Sequence, residues 1–184
     1  LPVLAQSSTN LEYQPEEIGK RVVSHIVKPR VKWRYQRVCA YYGACTLSEA
    51  IGDKSILQQM EAAYTPFLEG KRSPREGHVD YNVFGIWPFE MYRQTGNAGY
   101  LELAKELADL EFKYPREDGL SAYTRFWVDD MYMVGSLQVQ AYKSTGDKVY
   151  LDRAALTLKI YCDSLQRDNG LFFHREDVPF YWGR

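Results

Sequence analysis

The sequence predicts an all-α protein made of repeated helical hairpins, and three observations carry that reading. Apolar residues recur at i, i+3 and i+4 along most of the chain, with almost none of the alternation a strand requires. The pairs Gly52-Asp53, Gly96-Asn97 and Gly146-Asp147 each stand between one helical stretch and the next. The two stretches joined in this way differ in kind, one apolar nearly all round and one with a single wet face.

Taken in order, Pro15-Glu16-Glu17 places a proline and two acids where a first helical turn accepts them, and that helix ends by Pro29. Further helices are expected over 36–51, 55–69, 79–95, 98–114, 127–145 and 148–166. At each joint the glycine can take a left-handed C-terminal cap, and the Asp or Asn that follows can start the next helix. Tyr92-Arg93-Gln94-Thr95-Gly96 and Tyr142-Lys143-Ser144-Thr145-Gly146 match closely, as recurring hairpins would. Pro88 lies inside the stretch 79–95, where it lacks an N–H and crowds the carbonyl of Phe84, so a kink is expected near residue 84.

Within the second hairpin partner, Tyr100, Leu101, Leu103, Ala104, Leu107, Ala108 and Phe112 share one face, and Glu102, Lys105, Glu106 and Asp109 share the other. That is an outer helix. Met131, Tyr132, Met133, Val134, Leu137 and Val139 leave 127–145 apolar on all sides, and 79–91 is similar, as inner helices covered on both sides would be. Alternating inner and outer helices imply either a closed α/α toroid or an open helical solenoid.

Composition narrows the function. The 184 residues are 45% apolar and 26% charged, which suits one sizeable soluble core in one domain or part of one. Four Trp, 15 Tyr and 8 Phe are many for this length, and serve either to fill that core or to line a groove where sugar rings stack. A net charge of −1 argues against nucleic acid and leaves a small molecule as the partner. No apolar run is long enough for a membrane span. Cys39, Cys45 and Cys162 lack a metal-site spacing and read as buried thiols, so neither a metal nor a cofactor is expected. The opening Leu1-Pro2-Val3-Leu4-Ala5-Gln6 looks like the tail of a secretory signal, which makes residues 1–12 a leader and 13–184 the folded part. A periplasmic or secreted location follows, with a cytoplasmic one as the alternative.

Two of the inner helices begin with acid: His78-Val79-Asp80-Tyr81 opens one, and Trp127-Val128-Asp129-Asp130-Met131-Tyr132 opens the other. If inner helices run the same way, the carboxylates meet at one mouth of the array. Asp at a helix start is also a common cap, and that is the competing reading. Against it, Asp129 is set among Phe126, Trp127, Met131 and Tyr132, surroundings that strip hydration from a charged carboxylate, with Asp80 and Asp130 as neighbouring charges.

These segments resemble unsaturated rhamnogalacturonyl hydrolases, glycoside hydrolase family 105, and their relatives the unsaturated glucuronyl hydrolases of family 88. Arg125-Phe126-Trp127-Val128-Asp129-Asp130-Met131-Tyr132-Met133 looks like the family's Trp-x-Asp-(Gly or Asp)-x-Tyr-Met motif, and His78 to Gly85 is similar to the segment of its second acid. Gly170-Leu171-Phe172-Phe173-His174 resembles its aromatic-His segment, and Phe180-Tyr181-Trp182-Gly183-Arg184 the start of its Trp-x-Arg-Gly-Asn-Gly-Trp motif. The matches run in order through residues 33–184.

The resemblance implies an (α/α)6 toroid of six hairpins, of which this chain would hold about the first seven helices. It implies that Asp129 protonates C4 of a 4,5-unsaturated uronic acid and serves as acid and base in turn, while Asp80 positions water and balances charge. His174, Trp182, Trp127, Tyr132, Asp130 and Arg184 would bind the substrate, an unsaturated oligosaccharide from pectin or, alternatively, from a glycosaminoglycan. His174 on a surface loop and Trp182 in the core are the competing readings for those two. A sugar-binding toroid without turnover is the other class, since it would keep the aromatic mouth and have no use for Asp129. A chain ending inside the last motif would be inactive or nearly so by itself and would self-associate through bare inner-helix faces.

Overall fold

A computed structural model describes residues 14–27 and 34–177, and there the chain is helical, with two isolated β-bridges and no strand. The expected leader, Trp182 and Arg184 lie outside the described residues. The helices are α1 (Pro15–Ile26), α2 (Tyr35–Ile51), α3 (Lys54–Leu68), α4 (Val79–Asn82), α5 (Ile86–Thr95), α6 (Ala98–Leu110), α7 (Val128–Thr145) and α8 (Lys148–Leu165). The expected helix over 79–95 is divided into α4 and α5 by a 3-10 turn, Val83–Gly85. Pro88 explains the break: with no N–H to return to Phe84, the chain tightens just ahead of it.

The three joints form as the residues dictate. Gly52, Gly96 and Gly146 take φ of 72°, 73° and 74°, a region that costs a residue with a Cβ about 1 kcal/mol or more. One residue on, the side chains of Asp53, Asn97 and Asp147 accept from the backbone N–H of Ser55, Gly99 and Val149 at 3.0–3.1 Å. Each joint therefore ends one helix and starts its antiparallel partner within three residues.

The hairpins α2/α3, α5/α6 and α7/α8 lie in two layers, with α2, α5 and α7 packed side by side and α3, α6 and α8 outside them. This is the alternation of inner and outer helices seen in the α/α toroid class. On the inner helix α5, Ile86 through Met91 are all buried. The inner helices are less uniformly apolar than their sequence suggests, because several buried polar residues cross-link them. Gln138 donates to the carbonyl of Ala108 at 2.8 Å, Gln140 to the hydroxyl of Tyr42 at 2.9 Å, and the half-buried Gln94 to the carbonyl of Cys45 at 2.9 Å. Each satisfied bond contributes about 1 kcal/mol and fixes one helix register against the next.

Among the described residues, most aromatic side chains are buried in the core or packed against it. Trp87 is wholly buried, with Tyr41 and Tyr64 edge-on to it at 4.9 and 5.0 Å between ring centres. A second, smaller cluster of Leu120, Tyr161 and Leu165, with Phe126 and Phe172 against it, lies beneath the start of α7. Of the cysteines, Cys45 is buried, whereas Cys39 and Cys162 are only half-buried; all three are free thiols. Among the described residues no helix is long and apolar enough to cross a membrane.

Candidate active site

Inner helices that run the same way bring their first turns to one end of the array, and longer loops gather there as well: residues 69–78 before α4, 111–127 before α7, and 166–177 after α8. The expected carboxylates stand at this end. Asp80 lies in the first turn of α4, and Asp129 and Asp130 in the first turn of α7.

The cap reading fails for Asp80, because His78 holds the cap position of α4 and its Nδ1 accepts from the Asp80 N–H at 3.1 Å. At the start of α7 the cap position belongs to Trp127, whose side chain makes no capping bond. The acids are thus the second or third residues of their helices, where the helix dipole favours negative charge.

Arg125 joins the two helix starts. Its guanidinium donates from Nη2 to Asp80 at 3.2 Å and from Nε to Asp130 at 2.9 Å, with a second, shorter contact from Nη2 to the same Asp130 oxygen. The Arg125 backbone N–H donates to the other Asp130 oxygen at 2.9 Å, which also accepts from the hydroxyl of Tyr161 at 2.8 Å. Asp130 is 0% exposed and Asp80 29% exposed. The Asp130 carboxylate, expected at the substrate, is fully buried and takes four donors, and in this arrangement it is a strut that holds Arg125, and through it Asp80. Burial, and next to it the charge of Asp130, push the Tyr161 phenol above its usual range, so this hydroxyl stays a proton donor.

Local backbone shape delivers these groups. Phe126 takes φ of 55°, a left-handed conformation uncommon outside glycine, and turns the chain sharply between Arg125 and Trp127. Its ring stacks on Tyr161 at 5.1 Å and 14°, and its N–H donates to the Tyr161 hydroxyl at 3.3 Å, contacts that hold the strained turn in place.

His174 and Trp127 come together. The Val128 N–H donates to the His174 carbonyl at 2.8 Å, Trp127 pairs with Arg175 in an antiparallel bridge, and the Trp127 and His174 rings are 5.3 Å apart. Arg125 lies over the Trp127 ring at 4.9 Å, so one guanidinium touches the acid network and the aromatic wall together. Tyr132 is 45% exposed, and its phenol is raised by desolvation and by its bond to the Cys39 thiol of α2.

Sequence reading missed a second buried group behind Asp80. Glu111 is 1% exposed and accepts from the amide nitrogen of Asn82, whose oxygen accepts from the Gly77 N–H at 3.0 Å. Burial pushes the Glu111 carboxyl up to about 7; the Asn82 bond opposes this shift and the charge of Asp130 adds to it. Also missed was a cavity of about 500 Å³ beside Asp80, into which Arg34, Arg72 and Arg75 face. Among the described residues no cluster of side chains is suited to a metal ion.

The site so built is a pair of acid-bearing helix starts clamped by one arginine beside a Trp–His wall. The family profile described as Glycosyl Hydrolase Family 88 matches residues 9–180, nearly the whole sequence. That family is a glycosidase family of the unsaturated uronyl hydrolase kind, and this chain belongs to glycosyl hydrolase family 88.

Proposed function

We propose that the protein removes 4,5-unsaturated uronic acid from the non-reducing end of unsaturated rhamnogalacturonan oligosaccharides, with Asp129 as the catalytic acid and base. The observation that carries this reading is the Arg125 clamp, which ties Asp80 on α4 to the turn of α7 that bears Asp129. A glycosidase of the usual kind protonates the leaving oxygen while a second carboxylate attacks or activates water. Here the proton goes to carbon. Asp129 donates it to C4 of the vinyl ether, water adds at C5 and returns a proton to the Asp129 carboxylate, and the hemiketal so formed opens to release the neighbouring sugar as an alcohol. Asp80 orients that water, a role supported by its hold on Arg125 and its partial exposure. Trp127 and His174 offer a face on which the flattened unsaturated ring stacks.

The test is Asp129→Asn. Turnover, followed as loss of the enol-ether absorbance, should fall at least a hundredfold while calorimetric binding of an unsaturated disaccharide stays within a few fold. A variant with this substitution that keeps its rate ends the assignment, and a wild-type protein that binds without turnover would instead be a sugar-binding toroid. A glycosaminoglycan fragment is the second reading of the substrate, and the arginine-lined cavity beside Asp80 suits the anionic groups of either kind of chain.

A further inference from the structure

The geometry points to a separate anion-binding subsite, formed by Arg34, Arg72 and Arg75 beside Asp80, that takes a carboxylate or sulfate carried by the leaving part of the oligosaccharide. This inference rests on the uronyl hydrolase reading and names what that reading leaves open, the charge of the substrate beyond the unsaturated ring.

Three arginines from two separate segments meet in one hollow. Arg34 precedes α2, and Arg72 and Arg75 belong to the loop between α3 and α4. The cavity measures about 500 Å³, enough for one or two sugar rings, and Phe67 and Tyr81 supply apolar wall. An adjoining hollow of about 260 Å³ shares Arg34, Arg75 and Asp80. Five arginines elsewhere are matched with acids, Arg93 with Glu90, Arg116 with Asp118, Arg125 with Asp130, Arg153 with Asp109 and Arg175 with Asp177, while Arg37 and Arg167 lie against the rings of Tyr41 and Phe173. Among the described residues, none of the three cavity arginines forms a salt bridge with an acidic side chain. Arg75 instead lies over the Tyr81 ring, 3.9 Å from its centre, a contact that restrains its guanidinium beside the cavity. The one acid in the wall, Asp80, is already engaged by Arg125. In a chain of net charge −1, this is a local concentration of unneutralised positive charge at the active end.

Position selects the part of the substrate. Neither cavity is lined by Trp127, Asp129 or His174, so the arginines are not part of the ring-stacking wall. An anion held there is carried by a sugar other than the one that receives the proton. Guanidinium forks match the paired oxygens of carboxylate and sulfate alike, so the shared chemistry is an oxyanion. Its two sources are a later uronic acid of a pectic chain and a sulfate ester on an amino sugar.

The experiment compares two matched pairs of unsaturated substrates on the full chain: a disaccharide with and without a sulfate on the second sugar, and a pectic oligosaccharide with and without a further uronate. Wild type should favour the anionic member of at least one pair, with a preference that shrinks as salt rises. Arg72→Gln/Arg75→Gln should raise KM for that member about tenfold with kcat nearly unchanged, and move the neutral member less than twofold. The pair that responds identifies the source. Equal losses for both members, which is what the unsaturated ring's own carboxylate would produce if it bound there, overturn the subsite, and so does no change in either. Calorimetry on Asp129→Asn separates the two hypotheses. Preferential binding of the anionic member without wild-type turnover keeps the subsite and removes the hydrolase reading, whereas turnover without preference does the reverse.

Discussion

Replacing Arg125 with alanine tests the clamp directly. The substitution removes both guanidinium contacts to Asp130 and the 3.2 Å bond to Asp80, but leaves the backbone N–H at 2.9 Å and the Tyr161 hydroxyl at 2.8 Å on Asp130. Breaking a buried ion pair by deleting one partner costs about 3–5 kcal/mol, because the other charge stays buried and uncompensated. Asp130 is 0% exposed, but Arg125 is 23% exposed and two donors remain, so the lower end applies, about 3 kcal/mol in urea unfolding. Arg125→Ala/Asp130→Asn should recover roughly 2 kcal/mol of that, since the orphaned charge is gone. Turnover should stay low in both variants, by about a hundredfold, because Asp80 has lost its holder in each. An Arg125→Ala protein within about 1 kcal/mol of wild type, or a double variant no more stable than the single, would refute the strut role given to Asp130.

Glu111 predicts a pH dependence of stability. Its folded-state value of about 7 lies above the usual carboxylate range, so its contribution is fully present below about pH 4.5 and is lost as pH rises through 7. Glu111→Gln keeps an acceptor for Asn82 and should flatten that fall, gaining on the order of 3 kcal/mol relative to wild type between pH 5 and pH 8; parallel slopes would show that the carboxyl ionises without strain. Gly146→Ala places a Cβ at φ 74° and should lower stability by about 1 kcal/mol in thermal or urea unfolding, with kcat/KM unchanged because the joint lies at the end of α7 away from the acids.

Much of this architecture is legible in the residues, because local chemistry decides it. The Gly-Asp and Gly-Asn joints carry their own instructions for stopping and restarting a helix, and five of the seven expected helical stretches end within one residue of where they were placed. Pro88 likewise announces the 3-10 turn ahead of it. The expected helix over 98–114 ends early, at Leu110, and the next residue, Glu111, is held by Asn82 of another helix, a tertiary contact with no local signal. The acids at the helix starts were readable, whereas the packing of Trp127 beside His174 was not. The roles of Arg125, Asp130 and the three cavity arginines were not. A loop guanidinium takes whichever partner the tertiary fold presents, and Asp129 and Asp130 differ by one residue on a helix, a rotation of about 100° that sends one toward the cluster beneath α7.

The glycine joints also divide labour along the molecule. Tight connections close every hairpin at one end, whereas the opposite rim is assembled from long segments that supply Arg72, Arg75, Arg125 and His174. The residues that stop and restart helices and the residues proposed to meet the sugar therefore stand at opposite poles. A lineage could exchange rim segments to accept a new sugar without disturbing the hinges that bring the helices together, and drift in the hinges would erode durability long before it altered what the rim recognises.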